Sequence, residues 1–210
     1  MPDPLTDAAL PAALADLTAR DPRLARIVAD FGPPPLWARE PGFPTLLRII
    51  LEQQVSLASA KAAFDRLLMV ALPLTPERFL ELDDATLKAA GFSRQKTRYG
   101  RELAAAVLSG SLDLDALDVL DDEAVRAELV KVVGIGRWTA DIYLLMALCR
   151  PDAWPAGDLA LAIAARHALG LAATPGTAEL AAIGEAWRPW RAVAARILWH
   201  FYLSGGVPKK

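Results

Sequence analysis

Apolar residues along this chain recur at three- and four-residue spacing, and no stretch alternates apolar with polar positions between hairpin turns. That pattern predicts helices throughout. Residues 5–20 and 22–30 read as two helices split by Asp21-Pro22, with Gly32-Pro33-Pro34-Pro35 as a stiff connector. Thr45 to Gln54 forms the next helix, Ser56 caps one running to Met69, and Thr75-Pro76 starts another with proline in its first turn. Asp83 or Asp84 opens a short helix that Gly91 closes, and Ser93 caps a longer one that stops at Gly110. Asp121 or Asp122 caps 122–132, and Val133-Gly134-Ile135-Gly136 separates this helix from another over Arg137 to Cys149. Pro151 and Pro155 bracket an extended loop, Asp158 heads a helix to Leu169, and helices over 177–186 and 189–203 finish the chain. The expected fold class is all-α, with about ten helices and no sheet. Short linkers and the absence of repeats predict a single domain over residues 1–210.

Composition adds exclusions. Hydrophobic residues make up 54% of the 210, mostly alanine and leucine, which is far from a disordered composition. No apolar run reaches the length of a membrane span, and the N-terminal stretch Met1 to Leu10 lacks the basic and apolar parts of a signal peptide. A soluble, cytoplasmic, monomeric protein without membrane contact is therefore the expectation. The single cysteine, Cys149, excludes an internal disulfide and any four-thiolate zinc or iron–sulfur site, and follows an apolar segment as a small buried hydrophobe would. No metal site is expected from the residues themselves.

A formal charge of −2 and a pI near 5.7 count mildly against nucleic acid as a partner. Distribution modifies this reading. Gly91 to Arg101 holds Arg94, Lys96, Arg98 and Arg101 with no acid, and Ala186 to Arg196 holds Arg188, Arg191 and Arg196, so a locally basic face is expected on an acidic protein.

Three features carry candidate chemistry. In Gly134-Ile135-Gly136 two glycines allow a tight turn with exposed amides, and the helix from Arg137 adds unpaired N–H groups and a positive dipole end; together these hold a phosphate without lysine. On spacing alone, an ordinary helix connection with a glycine cap accounts for them as well. Asp158, after Pro155-Ala156-Gly157, reads first as the N-cap of the apolar run that follows and, compatibly, as a carboxylate facing a cleft, able to stabilise an oxocarbenium-like sugar or orient water. Six tryptophans, among them Trp138, Trp187, Trp190 and Trp199, fit either core packing or a slot for a flat cationic base. Composition does not separate these readings.

In order and spacing, these features resemble a known family. The blocks Ile50-Leu51-Glu52-Gln53-Gln54-Val55-Ser56, Gly91-Phe92-Ser93-Arg94-Gln95-Lys96, Val133 to Asp141, Trp154 to Asp158 and Trp187-Arg188-Pro189-Trp190-Arg191 are similar to the helix-hairpin-helix DNA glycosylases of the HhH-GPD superfamily, in the 3-methyladenine DNA glycosylase II (AlkA) branch. The resemblance covers residues 43–203 and implies a two-lobed helical fold with its hairpin over 122–149. It implies that Asp158 is the catalytic carboxylate, that Trp138, Ile142 and Trp199 line the base pocket, and that Gly134, Ile135, Gly136, Arg137 and Thr139 of the hairpin meet DNA. Gln53 and Gln54 then fall in the loop that enters the duplex, and the carbonyls of Val130, Val132 and Ile135 are where a monovalent cation would bind.

Departures from the family pattern shape the rest. Trp138 stands where strand-cleaving relatives carry a lysine nucleophile, so no AP lyase activity is expected. One cysteine rules out the cluster of the iron–sulfur relatives, and no cofactor is required. Gln54 replaces an apolar wedge, Ile142 replaces a pocket tyrosine of some relatives, and the N-terminal β-rich domain of longer members is missing. The implied activity is hydrolysis of the N-glycosidic bond of alkylated bases in double-stranded DNA, as the first step of base excision repair, in a bacterial-type, nucleoid-associated enzyme. Rival readings are a glycosylase for another lesion class, a non-catalytic hairpin module, and a helical interaction protein. His167 and His200 read as structural or surface residues, and the range of damaged bases is not legible.

Overall fold

The computed structural model describes residues 3–208, and among these it contains twelve α-helices, two short 3-10 segments and no strand. None of these helices is long and apolar enough to cross a membrane. The chain divides into two compact units: one joins the N-terminal residues through Ala38 to Leu144 and everything after it, and the other is the continuous segment Arg39–Tyr143.

The first unit holds α1 (Leu10–Arg20), α2 (Pro22–Phe31), α10 (Leu159–Leu169), α11 (Thr177–Gly184) and α12 (Arg191–Leu203). Every residue from Ala192 to Trp199 is buried, so this part of α12 is enclosed on all sides and runs through the core, against α1, α2 and α10. Arg196 lies within this stretch at 0% exposure and donates to three main-chain carbonyls, those of Leu36 (2.7 Å), Leu145 (2.7 Å) and Ala192 (3.0 Å). Burial pulls its pKa down to about 10. Trp154 and Trp187 pack edge to face at 5.4 Å, their N–H groups donating to Leu180 O and to Asp21. Asp21 caps α2 and chelates Arg23, whose hydrogen bonds hold its carboxyl down at about 2.

The second unit holds α3 (Phe43–Glu52), α4 (Leu57–Val70), α5 (Pro76–Glu81), α6 (Asp84–Ala90), α7 (Arg94–Leu108) and α8 (Asp122–Leu129), and its boundary falls within α9 (Arg137–Met146). α3 packs on α4 and α7, α5 on α7, and α6 on α4. Ser56, Thr75, Asp83, Ser93 and Asp121 all act as the side-chain caps their positions predict, and Gly91 closes α6 with φ of 100°.

Several boundaries differ from the sequence pattern. α1 begins at Leu10, not at residue 5, because Pro11 fits only its first turn; Leu5 is buried ahead of the helix and donates to Cys149 O. α8 stops at Leu129 because residues 130–135 tighten into successive turns, with Val132 N–H to Leu129 O and Ile135 N–H to Val132 O. α9 stops at Met146, where Cys149 adopts a left-handed φ of 49° and Arg150 N–H returns to Leu144 O. Cys149 is accordingly half-buried and not a core residue, its thiol bonding Met146 O. The 3-10 turn over Asp115–Val119 has no apolar periodicity to announce it; the Asp113 carboxylate anchors it by accepting the Asp115 and Ala116 N–H groups.

Candidate functional site

In the first unit the extended loop 151–157 delivers Asp158 to the N-terminus of α10. Both readings of a residue at this position begin with the same bond: Asp158 Oδ1 accepts the Leu161 N–H at 2.7 Å, a regular N-cap. The same oxygen accepts a second donor, the indole N–H of Trp199 at 3.1 Å, reaching across from α12. Trp199 is 8% exposed, and Asp158 is half-buried. Leu159, the next residue, stands 70% exposed, so the turn carrying the carboxylate sits at the protein surface.

In the second unit the α8–α9 hairpin is built around Gly134. Its φ of 97° is left-handed, and a Cβ there would lie 2.2 Å from Cγ of Tyr99, so the α7 ring packs directly against the turn. Gly136 is exposed with open space beside it, and Arg137 projects outward, pairing at 3.3 Å with Glu123. Ile135 and Thr139 face inward at 4% and 1% exposure. The first intrahelical bond of α9 is Ala140 N–H to Gly136 O, so the amides of 137–139 are first-turn groups that the helix itself does not satisfy. Arg126 of α8 bonds Asp141 of α9 at 2.6 Å and ties the two hairpin helices together; burial pushes the Asp141 carboxyl up and the guanidinium pulls it back. Asp141 is therefore an internal strut, although it shares a helical face with Trp138 and Ile142. Trp138 is half-buried and Ile142, one turn further along, is buried. Tyr143 does not replace the pocket tyrosine that Ile142 lacks: it is buried and its hydroxyl accepts the Gly42 N–H at 2.9 Å.

The loop between α3 and α4 is bound to this hairpin. Gln53 Nε2 donates to Gly134 O at 2.9 Å and to Thr139 Oγ1 at 3.0 Å. Lys96 of α7 braces the loop from behind, its ammonium on Leu51 O, and burial lowers its pKa. Glu52, nearly buried, is clamped by both guanidinium nitrogens of Arg39 at 2.9 Å. Gln54 is left exposed with a left-handed φ of 57°. The paired glutamines thus have different environments, a distinction invisible in the sequence because it depends on the hairpin reaching Gln53 from 81 residues away.

The two arginine-rich stretches do not form the basic faces their composition suggests. Arg196 is buried, and Arg188 and Arg191 are held by Asp152 and Glu185. Arg94, Arg98 and Arg101 line an open groove of about 810 Å³ in the second unit, but Asp84 meets Arg101 at 2.6 Å and Glu102 lies 3.9 Å from Arg98. Acids flanking each stretch, Glu102 and Glu185, and acids further off, Asp84 and Asp152, neutralise much of what looked locally basic. His200 bonds Phe31 O and His167 is exposed, so neither stands beside Asp158 through a described bond. Among the described residues no group of three or more His, Cys, Asp or Glu side chains could hold a metal ion.

Comparison with known proteins places these features. The model of the HhH-GPD superfamily base excision DNA repair proteins matches residues 47–189. The chain is similar to DNA-3-methyladenine glycosylase 1 of Schizosaccharomyces pombe, 29% identical over 182 residues that span 84% of this chain and 79% of that protein. Among solved structures it is similar to the Schizosaccharomyces pombe 3-methyladenine DNA glycosylase Mag1 in complex with abasic DNA, with a TM-score of 0.83, 26% identity, and coverage of 94% of this chain and 98% of that one. A DNA-3-methyladenine glycosidase from Bacillus halodurans is similar at a TM-score of 0.74 and 30% identity, covering 90% and 88% of the two chains.

Proposed function

The chain belongs to the HhH-GPD superfamily of base excision DNA repair proteins, and from that premise we propose that it is a monofunctional glycosylase releasing alkylated bases from double-stranded DNA, with Asp158 as the catalytic carboxylate. The observation that carries this reading is the position of Asp158: half-buried at a helix mouth, its carboxylate oriented by a main-chain amide and an indole N–H from a second helix. The relatives named 3-methyladenine DNA glycosylases support the substrate class.

The hairpin amides at 136–139, with the dipole of α9 behind them, suit a DNA phosphate and need no lysine, which reconciles DNA binding with a net charge of −2. Gln53, anchored to Gly134 and Thr139, holds the loop in register with the gripped backbone, and Gln54 beside it is the residue presented to fill the space left by the extruded nucleotide. Within the second unit, Trp138 and Ile142 are the residues offered to the flipped base. An alkylated purine is cationic, so it stacks favourably on an indole and is already activated to leave. The bond between C1′ and the base nitrogen breaks with its electron pair going to the base, which departs neutral. Asp158 stabilises the sugar cation and orients the water that adds to C1′ and loses a proton, leaving an abasic site. Trp138 offers no amine for a Schiff base, so the strand is left intact. The carbonyls of Val130, Val132 and Ile135 are hard neutral donors of the kind that take a monovalent cation, with Val132 O already accepting one N–H from Ile135.

The test is mass-spectrometric: methylated DNA incubated with the protein should release methylated bases, and the same DNA with Asp158→Asn should release at least ~100-fold less at equal abasic-DNA affinity. Full excision by that variant removes Asp158 from the mechanism, and no base release by the wild type removes the function.

A further inference from the structure

The short loop over 53–56 in the second unit is tied down at both ends and in between. Behind it, Lys96 sits on Leu51 O and Arg39 clamps Glu52, which fixes the end of α3. Ahead of it, the Ser56 hydroxyl accepts the Ser59 N–H and fixes the start of α4. Between the two, the Gln53 side chain crosses to the hairpin. Its amide nitrogen carries two hydrogens and meets two acceptors there, Gly134 O at 2.9 Å in the tight turn and Thr139 Oγ1 at 3.0 Å in the first turn of α9. A carbonyl only accepts, so the nitrogen of this amide, and not its oxygen, faces the hairpin.

Gln54, the next residue, is exposed and left-handed, with φ of 57°. A residue with a Cβ keeps such a backbone where its surroundings over-determine it. Gln53 supplies a firm hold, because Thr139 is 1% exposed and the Gly134 turn packs against the ring of Tyr99. We propose that Gln53 is a positioning residue for Gln54: its two hydrogen bonds hold the loop in the conformation that presents Gln54 to the duplex, on the same hairpin whose amides grip the phosphate. This inference rests on the reading of Gln54 as the residue that fills the space left by the extruded nucleotide. It gives the paired glutamines different work, one inserting and the other aiming it. The consequence is selective. A base-paired lesion leaves a gap opposite its partner when it swings out, whereas a bulged nucleotide leaves none, because the duplex closes behind it. Poor aim slows extrusion of the first and leaves the bond cleavage common to both.

Gln53→Met keeps the length of the side chain and removes its donors. Single-turnover excision of 7-methylguanine opposite cytosine should slow by about tenfold, and excision of the same base from a one-nucleotide bulge by less than about twofold. In a Gln54→Ala background, Gln53→Met should slow the paired substrate little further, since nothing is left to aim. Thr139→Val removes one of the two acceptors at nearly constant volume; it should show the same selectivity at smaller amplitude, and decides the matter should Gln53→Met fold poorly. Slowing of both substrates alike, slowing of neither, or losses that add in full when Gln53→Met and Gln54→Ala are combined, overturn the proposal. If Gln54→Ala slows the paired substrate while Gln53→Met is silent, only the positioning role falls; if Gln54→Ala is itself silent there, the reading beneath it falls too.

Discussion

A methyl group at position 134 would collide with the ring of Tyr99, its Cβ placed 2.2 Å from Cγ, and would have to accept a φ of 97°. Both penalties belong to one residue, and both act where the hairpin must present its amides. Gly134→Ala should therefore destabilise the protein by at least ~1–2 kcal/mol and weaken abasic-DNA binding beyond what the stability loss explains. Thermal melting and fluorescence anisotropy check the two parts separately. Gly136, with open space beside it, serves as the internal control: Gly136→Ala should cost far less stability. The Gly-x-Gly spacing made the pair look equivalent, and Tyr99 is what separates them.

At the scale of elements, caps hold this molecule together, and the one on α2 is also its clearest pH sensor. Asp21 accepts the Arg23 amide, both prongs of the Arg23 guanidinium and the Trp187 indole N–H, so the charged form is favoured in the fold and its pKa falls from 3.8 to about 2. A carboxyl whose pKa is depressed by folding contributes stability in full above its unfolded value and loses it as pH falls through the folded one. Denaturant midpoints of wild type and Asp21→Asn should therefore differ by a constant amount from pH 5 to pH 8 and converge between about pH 4 and pH 2. The plateau difference should be ~1–2 kcal/mol, reduced by the solvent around the half-exposed Arg23. A gap that widens on acidification would contradict the assignment.

For the molecule as a whole, the notable charge is one that no solvent reaches. Arg196 joins the segment before residue 39, the end of α9 and its own helix through three carbonyl acceptors, which lie far apart in sequence but within one unit. Its partners are dipoles and not carboxylates, so burial lowers its pKa to about 10 while leaving it charged at neutral pH. Arg196→Met nearly keeps the volume but takes the donor from Leu36 O and Leu145 O, while Ala192 O retains the helix amide, and should cost ~2–4 kcal/mol, read as a lower denaturant midpoint with the unfolding slope unchanged. A loss below ~1 kcal/mol would mean that the carbonyls find other donors.

Helix periodicity, caps and breakers are properties of neighbouring residues, so the all-helical class, the caps at Ser56, Ser93 and Asp158, the helix starts near Thr75, Asp83 and Asp121, and the hairpin over Gly134-Ile135-Gly136 were legible before any coordinates. Asp158 could be read as a cap for the same reason, and the reading as a catalytic carboxylate rose above the cap only through resemblance to a family. Local pattern could not reveal which acid meets which base, or which face of a helix another helix covers. Asp152 meets Arg188 and Arg191, Gln53 finds Gly134, and the Trp199 N–H finds Asp158 because separate segments converge in space. Whether a polar side chain is a surface charge, an internal strut or part of a reacting site depends on its acceptors and its share of solvent, and both are set only once the chain has packed.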